Sequence, residues 1–324
     1  MKLNQKIAAP IAALTAIVFA LGSATAAHAD AKSDAADFLL HSLVSGQYLD
    51  GFSAGSPEFG FSLEALLQLS QYSNTKNELG AAKNYLLKDD RIIGSASGKN
   101  GYAFDAQSNT LNPAAAAKFA FVSAVLHAGN RDIRDGIVKR LASSKTNRLA
   151  QSFGSTFAHA WVVLALEANH KIKAANRLTK ALVKLQRKDG GFSVDNTADS
   201  YGSSTDATGI ALMALGALRD SGSAYPKAIA GSIKRAVGYL NKTKVVDHWE
   251  AWGDVDVNGT AYALMGLKAA KQNVDAGIAW LLGRVSATDG GITTPWSAGA
   301  GDRFATAQSL LILKHLSYSD LVHN

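Results

Sequence analysis

The chain has 324 residues, of which 47% are hydrophobic and 18% charged, with 33 basic against 26 acidic side chains and no cysteine. Without cysteine there is no thiol nucleophile, no Cys-bearing zinc site and no disulfide, so cohesion must come from a core. A single domain of this length buries roughly three quarters of its unfolded surface, which suffices.

Lys2 and Lys6 flank the start of an apolar run, Ile7 to Leu21, that leads to Ala27-His28-Ala29 and then Asp30. A positive start, an apolar middle and a small-x-small end read as a secretory signal peptide over residues 1–29. The run is shorter than the roughly 20 residues a membrane span needs. The expected mature chain is therefore a single extracellular domain, 30–324, with the membrane met only through the cleaved leader.

From residue 34 onward, alanine-rich amphipathic stretches alternate with nearly all-apolar ones, and only five prolines interrupt the whole chain. The pattern predicts six pairs of helices. An outer helix over 36–48 leads through Asp50-Gly51-Phe52 to an inner helix over 61–69. The next pairs are 81–87 with 113–126, 133–143 with 157–166, and 174–186 with 206–215. The last are 228–240 with 258–267 and 274–285 with 304–313. Each outer helix runs into a polar, Gly-rich turn. Aligned from Phe61, Phe157, Asp206, Asn258 and Phe304, the inner segments place Thr208, Thr260 and Thr306 in one column, with His159 in the same place. Helices that are apolar nearly all round are buried on most faces, whereas the outer ones keep charged faces. The expected fold is all-α, a closed (α/α)6 toroid of six inner and six outer helices. An open solenoid satisfies the same local pattern.

Gln186-Arg187-Lys188-Asp189-Gly190-Gly191-Phe192 resembles the Q-x-x-D-G-G-F/W turn of squalene cyclases and protein prenyltransferase β-subunits. Ser204-Thr205-Asp206-Ala207-Thr208 looks like the segment that follows that turn, and Asp289-Gly290-Gly291-Ile292 is a degenerate second copy. The resemblance covers about residues 35–318 and implies the terpenoid-cyclase and prenyltransferase-like α/α-toroid. The prenyltransferase and squalene oxidase repeat builds that fold, and the α-domains of intrinsic factor and transcobalamin share it. The chemistry of those families is not carried over. The cyclase acid motif D-x-D-D is matched only by Asp254-Val255-Asp256-Val257, and the prenyltransferase zinc site needs a cysteine.

The densest chemical cluster runs from His248 to Gly259 before an inner helix, so it should line one mouth of the ring. Its carboxylates Glu250, Asp254 and Asp256, with His248, are candidates for acid–base catalysis on a glycan. Its indoles Trp249 and Trp252 suit a flat ligand, or else wedge this repeat's turn. Tyr201, Asp206, Trp296, Glu64 and His159 are further ligand-binding candidates. Asp206 and Asn258 also read as helix N-caps, and His159 as a packing residue. Asp254-x-Asp256-x-Asn258-Gly259 is half of a calcium loop, but position twelve falls on Met265, so no metal is expected and no cofactor either. The leading expectation is a secreted protein that binds a small molecule or glycan at the mouth. The alternatives are an extracellular glycan-degrading hydrolase or lyase, and a cyclase-like enzyme with a degenerate acid motif. The basic excess suits an anionic cell-wall polymer, and no basic run suggests nucleic acid.

Overall fold

The computed structural model describes residues 30–94, 100–105, 110–143, 155–195 and 202–323; the expected signal peptide and Tyr201 lie outside them. Six inner helices form a closed ring: α2 (Phe59–Leu69), α5 (Pro113–Val125), α7 (Thr156–Ala168), α9 (Thr205–Asp220), α11 (Val257–Ala269) and α13 (Arg303–Leu313). Six helices surround them: α1 (30–41), α3 (Gly80–Leu86), α6 (Arg131–Ser143), α8 (Ile172–Lys184), α10 (Pro226–Thr243) and α12 (Asp275–Leu282). A short helix, α4 (Asp89–Ile92), follows α3. Two hairpins, β1 (Phe104–Asp105) with β2 (Thr110–Leu111) and β3 (Glu250–Ala251) with β4 (Asp254–Val255), and a 3-10 turn over Asp320–His323 complete the regular structure among the described residues. No helix there is long and apolar enough to cross a membrane. The first outer helix stops at residue 41 rather than 48, because Ser45 and Gly46 take positive φ and turn the chain.

Each inner helix starts with the same device. Glu58, Asn112, Ser155, Ser204, Asp256 and Asp302 are the N-caps, and each side chain accepts an N–H of the first turn. In four of the six helices a residue four positions beyond the cap reaches back to the preceding turn. Thr208 Oγ1 accepts the N–H of Phe192 at 2.9 Å, Thr260 that of Trp249 at 3.0 Å and Thr306 that of Ile292 at 2.9 Å. In the first repeat Ser62 does this for Leu49 at 2.9 Å, so the Thr column passes through Ser62, not Leu63. The cap's own N–H closes the clamp on the carbonyl of the same turn residue, as from Ser204 to Phe192 at 2.8 Å and from Asp256 to Trp249 at 3.0 Å. His159 fills this position in α7. It is buried, and its Nδ1 bonds the Ser155 carbonyl at 3.0 Å, so it serves the helix start rather than a ligand site. Burial holds its imidazole below the usual pKa, that is, neutral, against the raising effect of the Ser155 bond.

Small residues allow the inner helices to touch. A Cβ on Gly209 of α9 would collide with the Tyr262 carbonyl of α11, and one on Gly266 would lie 2.7 Å from the Gly209 Cα. The first and last repeats close the ring through backbone-directed bonds. Gln68 accepts the Leu311 N–H at 2.7 Å, Tyr72 donates to the Leu310 carbonyl at 2.7 Å, and Arg303 donates to the Gly51 carbonyl at 2.8 Å.

The centre of the ring is filled. After α13 the chain turns back and inserts Tyr318, fully buried, against Trp161 at 4.9 Å between ring centroids. Glu64 is here too, not at the mouth. It pairs with Lys118 and accepts hydrogen bonds from Tyr262 at 3.0 Å, Tyr318 at 3.3 Å and Gln308 at 3.4 Å. Burial alone would lower the Lys118 pKa, but the Glu64 carboxylate outweighs it and the ammonium is held above its usual range. Burial, reinforced by the Glu64 charge, pushes both phenols well up.

Two outcomes are expected from these contacts. Gly209→Ala overpacks the α9–α11 seam and should cost about 1–3 kcal/mol in chemical denaturation. Lys118→Met strands the Glu64 charge and should cost about 3–5 kcal/mol, whereas Lys118→Met with Glu64→Leu should recover most of the loss. Equal losses in the single and double variants would show that the pair is not coupled.

Candidate functional site

One rim of the ring is formed by the turns that lead into the inner helices. The turn before α9 is the Gln186–Phe192 segment. Gln186 donates from Nε2 to the Gly190 carbonyl at 2.8 Å and to the Ser232 carbonyl at 2.9 Å, tying the turn to α10. Gly190 sits at φ +94° with Arg235 backbone against it, a place only glycine takes without strain. Phe192 is fully buried as the wedge of the turn. Farther along, Tyr239 of α10 donates to the Ser203 carbonyl at 2.8 Å and holds the chain just before α9.

Asp206 follows directly. Its expected capping role belongs to Ser204, whose hydroxyl accepts the Ala207 N–H. Asp206 stands two residues into the helix, with Oδ1 on the Ala207 N–H at 2.8 Å, and its carboxylate borders the cavity.

The turn before α11 is the β3–β4 hairpin. Its two indoles part company. Trp249 is fully buried and its Nε1 donates to the Leu240 carbonyl at 2.9 Å, so it is the wedge and not a ligand platform. Trp252 is 94% exposed at the hairpin tip, where it and Gly253 take φ of 53° and 89°. Two positive φ values in a two-residue loop make a type I′ turn, in which Asn, Asp or Gly is favoured, so a tryptophan there is held at an energetic cost. Asp256, not Asn258, caps α11, with Oδ1 accepting the Gly259 N–H at 2.8 Å. Asn258 points inward and donates to Gln308 at 2.6 Å. His248 is drawn away from the rim. It stacks on Trp280 with centroids 4.8 Å apart and planes 7° from parallel, and its Nε2 is 3.7 Å from Glu250.

These turns enclose an open cavity of about 600 Å³. Asp206, Glu250, Asp254 and Asp256 line it, with Trp252 and with Trp296, which is 78% exposed. Of the residues singled out in the sequence, these six come together. Trp249, Glu64, His159 and His248 do not join them. Asp195, Ser203 and Tyr239 also belong to the wall but were not singled out for a site. Tyr239 had a signal, an aromatic on an otherwise polar outer face; Asp195 had none.

The two helix-borne carboxylates are unlike. Burial, helped by the charge of Asp206, raises the Asp256 pKa above the ordinary carboxylate value, against the lowering effect of the Gly259 N–H. Tyr239 is pushed up to about 12 by burial and by Asp189 and Asp206. Among the described residues no His, Lys or Arg lines the cavity, and no cluster of metal-ligating side chains is present.

No protein-family model and no curated protein matches the sequence. Solved structures do match in fold. The unsaturated glucuronyl hydrolase of Streptococcus agalactiae aligns with a TM-score of 0.58 at 12% identity, over 89% of this chain and 90% of its own. That of Bacillus sp. GL1, described as responsible for the degradation of glycosaminoglycan, gives 0.53 at 13% identity over 89% and 95%. A type II terpene cyclase from Scytonema, in complex with its substrate geranylgeranyl dihydroxybenzoate, gives 0.57 at 16% identity over 91% and 98%. All are α/α-toroids, as is this chain; at such identities the likeness is one of fold.

If Asp206 raises the Asp256 pKa through its charge, Asp206→Asn should lower it. Carboxyl-carbon NMR titration should show Asp256 moving toward the ordinary aspartate value, and the Tyr239 phenol should ionise at lower pH in the same variant. An unmoved Asp256 would mean that burial alone sets its titration.

Proposed function

We propose that the chain is a secreted glycan-degrading hydrolase that works at the rim cavity between α9 and α11. The observation that carries this reading is the pair Asp206 and Asp256. The first turns of two adjacent inner helices deliver both to one cavity, with two exposed indoles at its edge. Asp256, protonated to higher pH, is the proton donor to a glycosidic oxygen. Asp206, on the same cavity wall, is the base or nucleophile. Trp252 and Trp296 offer flat apolar faces for sugar rings. That the toroid neighbours include unsaturated glucuronyl hydrolases, one of them described as responsible for the degradation of glycosaminoglycan, supports the same class. The substrate unit differs, however. A uronate carboxylate in this wall would meet only like charge, so the unit bound here is a neutral or amino sugar. Export through the leader at 1–29 belongs to the same proposal.

Binding without turnover is the second reading, favoured by the exposure of both indoles. The cyclase reading has the least support, because aromatic side chains and the Glu64–Lys118 pair occupy the middle of the ring.

Assay of the purified protein on neutral and amino-sugar polysaccharides tests the proposal. Asp206→Asn and Asp256→Asn should each lower kcat/KM by about 10²–10⁴-fold with unchanged thermal melting. Activity requires Asp256 protonated, so it should fall on the alkaline side as Asp256 deprotonates, above the ordinary aspartate value. Asp206→Asn should shift that limb down. Wild-type protein that binds glycans but releases no new reducing ends would establish the binding reading instead.

A further inference from the structure

The outer wall of the ring carries a second feature, on the helices behind the cavity. Outer helices α8 and α10 are neighbours, and neither contains an Asp or Glu. On α8, Lys173, Arg177, Lys180 and Lys184 recur at intervals of four, three and four, which puts them on one face of the helix. All four are exposed, while Ala174, Ala175, Leu178 and Leu182 of the opposite face are buried. The stripe spans about 16 Å of helix axis. On α10, Lys227, Lys234, Arg235 and Lys242 are exposed as well, while Ile229, Ser232, Ala236 and Leu240 are buried.

Composition separates this wall from other outer helices. On α6 acids stand among the bases, where Arg131 and Arg134 share Asp135, and on the surface nearby Arg219 and Lys271 share Asp220. Among the described residues, none of the eight bases on α8 and α10 forms an ion pair with an acid. Arg177 donates to the Ala142 carbonyl, and Lys180 lies over the Tyr225 ring at 4.8 Å. The two helices are also held in register, since Gln186 at the end of α8 bonds the backbone and hydroxyl of Ser232 on α10. The bases dispersed along the sequence thus gather on one rigid face, next to a rim whose described wall is acidic.

We propose that the α8–α10 wall is a docking surface for a polyanionic glycan, which holds the protein on an anionic matrix. Charge complementarity selects a polyanion. The chemistry of the side chains selects a glycan over a nucleic acid. Six of the eight bases are lysines, compact point charges suited to sulfates or carboxylates along a polymer, and of the two arginines Arg235 is engaged with Gln186 and Arg177 with the Ala142 carbonyl, so neither fork is free for bidentate phosphate recognition. No exposed aromatic stands on either outward face to stack a base, because Tyr225 lies beneath Lys180 and Tyr239 is engaged with Ser203. A polyanion on the wall is excluded from the cavity by the cavity's own carboxylates, so docking and the rim chemistry are separate functions. The docking inference therefore stands whether or not the rim is catalytic.

The test is binding to heparin, as a sulfated glycan, and to polygalacturonate, measured across a salt series. The quadruple variant Lys173→Gln, Lys180→Gln, Lys184→Gln, Lys234→Gln should bind at least tenfold more weakly. Its slope of log K against log salt should fall by roughly three, by the counterion release of four charges. A control of equal net charge, Lys32→Gln, Lys76→Gln, Lys83→Gln, Lys271→Gln, should bind like the wild type. Arginine at the same four wall positions should retain binding, which separates loss of charge from loss of fold. Equal weakening in wall and control variants would reduce the effect to net charge and overturn the proposal. Tighter binding of single-stranded DNA than of heparin at matched salt, lost in the wall variant, would overturn it in favour of nucleic acid.

Discussion

The structure depends on a hydrogen-bonded clamp between each turn and the helix that follows it. A buried turn residue must place both of its backbone polar groups, or lose the desolvation free energy of each. Here its carbonyl takes the N–H of the helix cap, and its amide finds the hydroxyl of the residue four positions beyond the cap. In four of the six repeats one Ser or Thr therefore fixes the turn onto the helix start. Since the clamp recurs at the same end of the inner helices, it also determines where function can sit. The variable part of each turn, between wedge and cap, is forced outward on one rim. There the α9 turn contributes Asp206 and the α11 hairpin contributes Trp252 and Asp256.

The same economy closes the other possible site. Six inner helices packed through Gly209, Gly266 and many alanines leave an axis too narrow to stay hollow once Trp161, Tyr262 and Tyr318 point along it. The charge at the centre, Glu64, is satisfied by Lys118, two phenols and an amide. A carboxylate with that many partners is an anchor that specifies how the repeats and the returning tail meet. The toroid is thus a solid drum here, and its open cavity lies on its rim.

Much of this was legible in the sequence, for a definite physical reason. A helix buried on all sides and one buried on a single face leave different hydropathy patterns, so the alternation of inner and outer helices, their number and even the start of α5 at Pro113 could be read. What could not be read was the choice between chemically equivalent neighbours. Ser204 and Asp206 can each cap a helix, as can Asp256 and Asn258, and only backbone geometry decides which does. Of Trp249 and Trp252, one must be the wedge. The winner is the residue whose amide faces Thr260, a relation spanning eleven residues that no local pattern shows. In the first repeat, Ser62 carries out the clamp while Phe61 carries the alignment, so the column slipped by one. Glu64 looked like a cavity acid because its partner Lys118 lies 54 positions away.

Those small displacements decide the character of the rim. Because Ser204 takes the capping role in α9, the Asp206 carboxylate is left for the cavity. Because Asp256 is itself a cap, its carboxylate is partly withdrawn from water and bound to a helix amide. Two aspartates on adjacent helices thus occupy unlike environments, and the charge of one weighs on the titration of the other. Unlike environments are what let two identical carboxyl groups take opposite roles in proton transfer. The arrangement needs no residue beyond those that already begin the helices. The acids of the rim and the unpaired bases of α8 and α10 lie on adjoining faces, and the Gln186 turn ties α10 to the chain that leads into α9. A folding requirement at the start of each inner helix, combined with a solubility requirement on the outer face, yields a molecule whose surface is electrostatically divided.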